Sequence, residues 1–158
     1  MGLDQYLSAS EYISRYDYSD TSDGLDRSEN KTFMELVKQF GVDPDPTGFA
    51  GLNIDFPMGY WRKSNQIHNW FVENVGEGID ECQKMFVTRD VLTDLKTRCE
   101  EVLADHSLAE ELLPTGAGFF FGSTEYDQYY FNDLKETVKI INRCLKSKFD
   151  YFEYQASW

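Results

Sequence analysis

The sequence predicts an α+β fold, a mixed sheet of about four to five strands covered on one face by about four to five helices. Three observations lead there. Some short runs alternate apolar and polar residues with period two. Longer runs place apolar residues at i, i+3, i+4 and i+7. The two kinds interleave along the chain with no internal repeat. With 158 residues, 41% hydrophobic and 16% aromatic, the chain can bury one core and reads as a single domain, 1–158.

The elements follow in order. Leu3, Leu7 and Ala9 alternate with Asp4, Tyr6 and Ser8 and predict a strand. Residues 15–30, RYDYSDTSDGLDRSEN, are acidic, Ser-rich and poor in aliphatics, and predict a surface loop or insert. TFMELVKQFG is helical, with Thr32 and Glu35 at capping-box spacing and Gly41 as its stop. The two prolines of residues 42–48 predict a turn, and GLNIDFP after it a strand.

Residues 60–75 are expected to form one helix, with Tyr60, Trp61, Ile67, Phe71, Val72 and Val75 facing the core. Arg62, Lys63, Asn65, Asn69 and Trp70 border that face. KMFVT at 84–88 is a strand that runs into a helix over 88–105 capped by Thr88. Ser107 and Glu110 start a short helix that Pro114 ends. GAGFFFG reads as a buried strand that breaks at Gly122-Ser123, and Thr124 then caps the longest helix, 124–147. Phe152, Tyr154, Ala156 and Trp158 alternate in a last strand.

Composition narrows the function classes. The net charge of −13, from 28 acids and 15 bases, argues against direct nucleic-acid binding, whose affinity comes from cations on phosphate. It suits a basic protein partner, because opposite charge steers the encounter. No apolar run approaches the ~20 residues of a membrane span. The first residues lack a signal peptide's basic and apolar regions, and Tyr6 stands where a myristoylation signal places Ser or Thr. A cytoplasmic protein is expected. Cys82, Cys99 and Cys144 are odd in number and widely spaced, so they read as free thiols, and His68 and His106 complete no zinc pattern.

Two stretches could carry a site. In residues 15–30, Tyr16, Asp17, Tyr18, Asp20, Asp23 and Asp26 interleave aromatic anchors with carboxylates. That mixture suits an interface with Arg and Lys side chains. The alternative is a small-ligand pocket, for a nucleotide signal, built from Arg62, Lys63, Asn65 and His68 with Ser123, Thr124 and Tyr126. Neither GxSxG, HExxH, HxE with PCxxC, HRD nor a Walker pattern occurs. The chain is therefore read as no enzyme, with no cofactor and no metal. A third reading, an enzyme of unrecognised type, would use His68 with a nearby carboxylate.

The blocks MGLDQYL, GYWRKSNQIHNWFVENV and AEELLPTGAGFFFGSTEYDQYYFNDL, with the helix after them, carry a resemblance. Over most of the chain outside residues 15–55, the sequence resembles a group of small acidic hypothetical proteins encoded by phages, prophages and some bacterial genomes. The resemblance implies a setting, a cytoplasmic accessory protein of a mobile element, and assigns no residue a role. Setting and charge together point to a non-catalytic inhibitor of a host or defence protein, of CRISPR or restriction type, acting by direct contact.

Overall fold

A computed structural model describes residues 2–22, 24–43, 48, 50–118 and 121–158. In chain order the elements are β1 (Asp4–Ser14), β2 (Tyr16–Thr21), β3 (Gly24–Glu29), α1 (Lys31–Gln39), β4 (Gly51–Arg62), α2 (Asn65–Asn74), β5 (Met85–Thr88), α3 (Arg89–Ala104), a 3-10 turn (His106–Leu108), α4 (Ala109–Leu112), α5 (Gln128–Lys146) and β6 (Tyr151–Ser157). The fold is α+β. Two compact units divide the chain: residues 1–9 with 56–158, and residues 10–55.

The larger unit is organised on a four-stranded sheet of order β4-β1-β6-β5. β6 pairs antiparallel with both neighbours, Leu7 opposite Tyr154 and Met85 opposite the same Tyr154. Period-two alternation gives the sheet one dry face. Leu7 and Ala9, Phe152, Tyr154 and Ala156, and Met85 and Val87 are all buried. They join Ile67 and Phe71 of α2, Leu92, Leu95, Cys99 and Val102 of α3, and Leu134, Ile140 and Ile141 of α5 in one cluster. The Tyr154 ring stacks on Phe71 with centroids 4.0 Å apart, and Trp61 donates its Nε1–H to Thr137 of α5 at 2.9 Å. Gly59 lets α5 approach, since a Cβ there would lie 2.4 Å from Ile140 Cγ2. The alternate residues on the outer face stay in solvent: Tyr6, Tyr60, Phe86 and Tyr151 are 48–63% exposed.

Helix ends are secured locally. Thr88 caps α3 by accepting from Val91 N–H, as its sequence position predicts. Arg89 donates to the carbonyls of Leu145, Ser147 and Phe149 and so satisfies the last turn of α5 and the chain beyond it. Two of the expected caps, at α1 and the 3-10 turn, fall two residues upstream. Asn30 rather than Thr32 caps α1, accepting from Phe33 N–H at 2.9 Å. Asp105 rather than Ser107 starts the 3-10 turn, taking both the N–H and the hydroxyl of Ser107. In each case a residue just upstream has the oxygen at the right offset first. Cys82, Cys99 and Cys144 are free thiols. Burial raises Cys99 to about 12 and Cys144 to about 11, which leaves both as small, unreactive core residues.

The smaller unit holds α1, which buries Phe33 and Val37, and a two-stranded sheet of β2 and β3. Residues 15–30, expected as a loop, thus contain a paired antiparallel hairpin. The turn expected over 42–48 falls largely on residues 44–47, outside the described residues. No helix among the described residues is long and apolar enough to cross a membrane.

Candidate functional sites

The hairpin distributes five of the six residues singled out by sequence over two faces. Tyr16 pairs with Glu29, Asp17 with Ser28, Tyr18 with Arg27, Ser19 with Asp26, Asp20 with Leu25 and Thr21 with Gly24. Successive side chains alternate, and directly opposed residues share a face. Tyr16, Tyr18, Asp20, Leu25, Arg27 and Glu29 therefore lie on one face, and Asp17, Ser19, Asp26 and Ser28 on the other. Asp23 lies outside the described residues. Eleven of the twelve strand residues are exposed, which leaves neither face covered.

The first face is aromatic and mixed in charge. Arg27 stacks over the Tyr16 ring with its guanidinium carbon 4.3 Å from the centroid, and Arg15 lies 5.2 Å from the same ring. Tyr18 and Leu25 are 57% and 67% exposed. On the second face Asp17 accepts from Asn30 Nδ2–H at 2.8 Å, while Asp26 accepts its neighbour Arg27 N–H. The unit carries ten acids and four bases.

The alternative site is rearranged because residues 60–75 do not form one helix. β4 runs through Arg62, and Lys63 N–H still donates to Leu3 O at 2.7 Å, holding the chain to β1. Lys63 then takes φ = 59°, and α2 starts only at Asn65. Tyr60, expected in the core, is consequently 49% exposed, and its hydroxyl donates to Asp4. Asn65 and Trp70, expected at the border, are buried.

Asn65 organises the segment opposite. Its Nδ2 donates to Phe121 O at 3.0 Å and Ser123 O at 2.8 Å, and its Oδ1 accepts from Gly116 N–H at 3.0 Å. That backbone is satisfied by one side chain instead of a ladder, and no strand occurs among the described residues of 114–127, against expectation. Nor does Thr124 cap the last helix. α5 begins at Gln128, and the Asp127 carboxylate accepts from Tyr129 and Tyr130 N–H at 2.9 and 3.1 Å. The expected anion seat at Gly122-Ser123-Thr124 is thus displaced from the helix start, which has its own carboxylate.

His68 is 1% exposed and belongs to a buried chain of hydrogen bonds. Gln5 Nε2 donates to Ser64 O at 3.2 Å, which turns its Oε1 to accept the Tyr154 hydroxyl at 3.0 Å. The Tyr154 oxygen then accepts from His68 Nδ1–H at 2.9 Å, and Nε2 faces Asp80 Oδ2 at 3.1 Å. The other Asp80 oxygen accepts Trp158 Nε1–H at 3.2 Å. His68 does have a carboxylate beside it, as the enzyme reading required, but the ring is buried and both its nitrogens are engaged, one by Tyr154 and one by the partly exposed Asp80.

Of the seven residues proposed for a pocket, Arg62, Lys63 and Ser123 line one cavity of about 280 Å³. Gln66, Gly122, Glu125, Asp127, Tyr129, Tyr130 and Asp133 complete it. Asn65 and His68 are packed behind it. Thr124 gives its carbonyl to the Thr115 hydroxyl, and Tyr126 rests its ring against Tyr130 at 5.0 Å. Sequence reasoning missed Asp133, one turn into α5 and half-buried. Burial pushes its carboxyl up from the ordinary value, and Ser64 and Gln66 partly offset this.

The fold is thus of the α+β class, with a four-stranded and a two-stranded sheet. No family model matches the chain, and neither curated proteins nor solved structures give a match.

Proposed function

We propose that the chain acts without catalysis, as an acidic binding protein that engages a basic protein partner through the β2–β3 hairpin. The single observation that carries this is the exposure of both hairpin faces. A two-stranded hairpin is marginal unless it packs one face, and this one instead presents Tyr18, Leu25 and a set of carboxylates to solvent. Aromatic anchors surrounded by charge are what an interface with an Arg- and Lys-rich surface uses. In the mobile-element setting that the resemblance implies, the partner is a host or defence protein of CRISPR or restriction type. The acidic chain inhibits it by direct contact, occupying the surface that would hold nucleic acid.

The test is capture on the immobilised chain from a bacterial lysate at about 50 mM salt, followed by a salt gradient. A basic nucleic-acid-binding protein is expected to be retained, to elute below about 0.5 M salt, and to be competed off by duplex DNA. A Tyr18→Ala, Asp20→Asn, Leu25→Ala triple variant is expected to keep the fold and lose the partner. Capture of nothing at low salt, or equal capture by the variant, would overturn the proposal.

A further inference from the structure

The cavity beside α2 has walls of opposite charge that do not neutralise each other. Arg62 and Lys63 come from the β4–α2 junction; Glu125, Asp127 and Asp133 come from the start of α5 and the chain before it. Among the described residues no ion pair crosses the cavity. Arg62 reaches away to Asp4 at 3.9 Å, and Lys63 and Glu125 have no ion pair. Asp127 is committed on its helix N–H groups. The Asp133 carboxyl has lost part of its hydration to burial, and the hydrogen bond it accepts from Gln66 Nε2 is long at 3.4 Å. Ser64 is fully buried and its Oγ makes no hydrogen bond. Ser64 and Gln66 together only partly offset the effect of burial on the Asp133 carboxyl.

The wall is also built under constraint. Lys63 holds a left-handed backbone that only a few per cent of non-glycine residues adopt. Gly122 sits against it at φ = 92°, where a Cβ would meet Lys63 Cβ at 3.1 Å. Strain of this kind persists where surrounding structure fixes it and clusters at ligand sites. The phosphates of a nucleotide would face three carboxylates in this cavity, which disfavours that ligand.

We propose that this cavity binds a small zwitterion of the α-amino-acid class. Its ammonium sits at Asp133 and Glu125, its carboxylate at Lys63 and Arg62, and its side chain lies along the exposed Tyr129 ring. Lys63 and Glu125 then gain the ionic partner they lack, and the half-buried Asp133 carboxylate gains a cation. Neither an amine nor a carboxylate alone satisfies both walls.

The experiment compares three probes on the native chain by calorimetry and by ¹H–¹⁵N NMR: L-phenylalanine, phenethylamine and 3-phenylpropionate. L-phenylalanine is expected to bind and to shift the amides of Lys63, Gln66, Ser123 and Asp133. Each single-charge analogue is expected to bind at least about tenfold more weakly. Asp133→Asn, and Lys63→Asn, which keeps a residue that tolerates the left-handed backbone, are each expected to weaken binding about tenfold. Analogues that bind as well as the zwitterion would overturn the proposal. So would the absence of any response to L-phenylalanine, glycine or L-glutamate at about 10 mM. Should a variant fail to fold, the analogue comparison still decides. The result is independent of the hairpin, whose binding is read on a different partner.

Discussion

The four-stranded sheet and the β2–β3 hairpin are both antiparallel, yet they are held by different forces. In β5, β6 and the first half of β1 every second side chain is dry, and Tyr154 alone touches Phe71, Trp61 and His68. Its register is fixed because a one-residue slip would turn that whole face to water. In the hairpin a slip would bury nothing and expose nothing, so register rests on main-chain pairing, the Arg27–Tyr16 stack and the turn. Residues in the sheet are kept for stability. Hairpin residues contribute little to stability, which frees them for contact with another molecule.

The contrast can be broken by substitution, beginning where the loss should be largest. Phe71→Ala removes the ring stacked on Tyr154 from a fully buried position and is expected to cost about 3–5 kcal/mol in urea unfolding. His68→Ala removes the partner of the Tyr154 oxygen, whose hydroxyl keeps Gln5, and of one Asp80 oxygen, and is expected to cost about 2–3 kcal/mol. His68→Gln, which can still donate, should recover part of that loss. Tyr18→Ala and Leu25→Ala, both exposed, are each expected to change stability by less than about 0.5 kcal/mol. If either hairpin change unfolded the chain, the hairpin would be a structural element after all.

Asp133 sharpens the comparison from the cavity side. Burial raises its carboxyl in the folded chain, so the folded state holds that proton more tightly than the unfolded chain does. Its contribution to stability is present below the ordinary carboxylate value and is lost as pH rises through the raised one. Urea midpoints measured across that window should fall with pH less steeply in Asp133→Asn than in the native chain. An unchanged slope would show that Asp133 is as well solvated folded as unfolded.

Much of the sheet was legible because its strands carry the period-two signal: Leu7 and Ala9, Met85 and Val87, and Phe152, Tyr154 and Ala156 all alternate and all point inward. The long helices were legible through their apolar stripes. The hairpin was not, since strands with two wet faces have no hydrophobic alternation to read. The Asp23-Gly24 pair, a frequent hairpin turn dipeptide, was the available signal. The run at 116–122 misled for the opposite reason. It has strand composition, but among its described residues Gly116 N–H and Phe121 O are partnered by the Asn65 side chain, and nothing local in the sequence announces that. The candidate site was half legible. Arg62, Lys63 and Ser123 do meet, because Asn65 pins residues 121–123 beside α2. Asp133 was hidden as one acid among 28.

The most direct measurement replaces Tyr18 with a photo-crosslinking residue in one sample and Phe86 in another, with both proteins exposed to the same bacterial lysate and irradiated. Both positions are aromatic and more than half exposed, so they differ in location and not in accessibility. Crosslinking of a basic nucleic-acid-binding protein from position 18, suppressed by duplex DNA and absent from position 86, is the predicted result. Crosslinking from position 86 alone, or from neither position, would contradict the hairpin as the working surface.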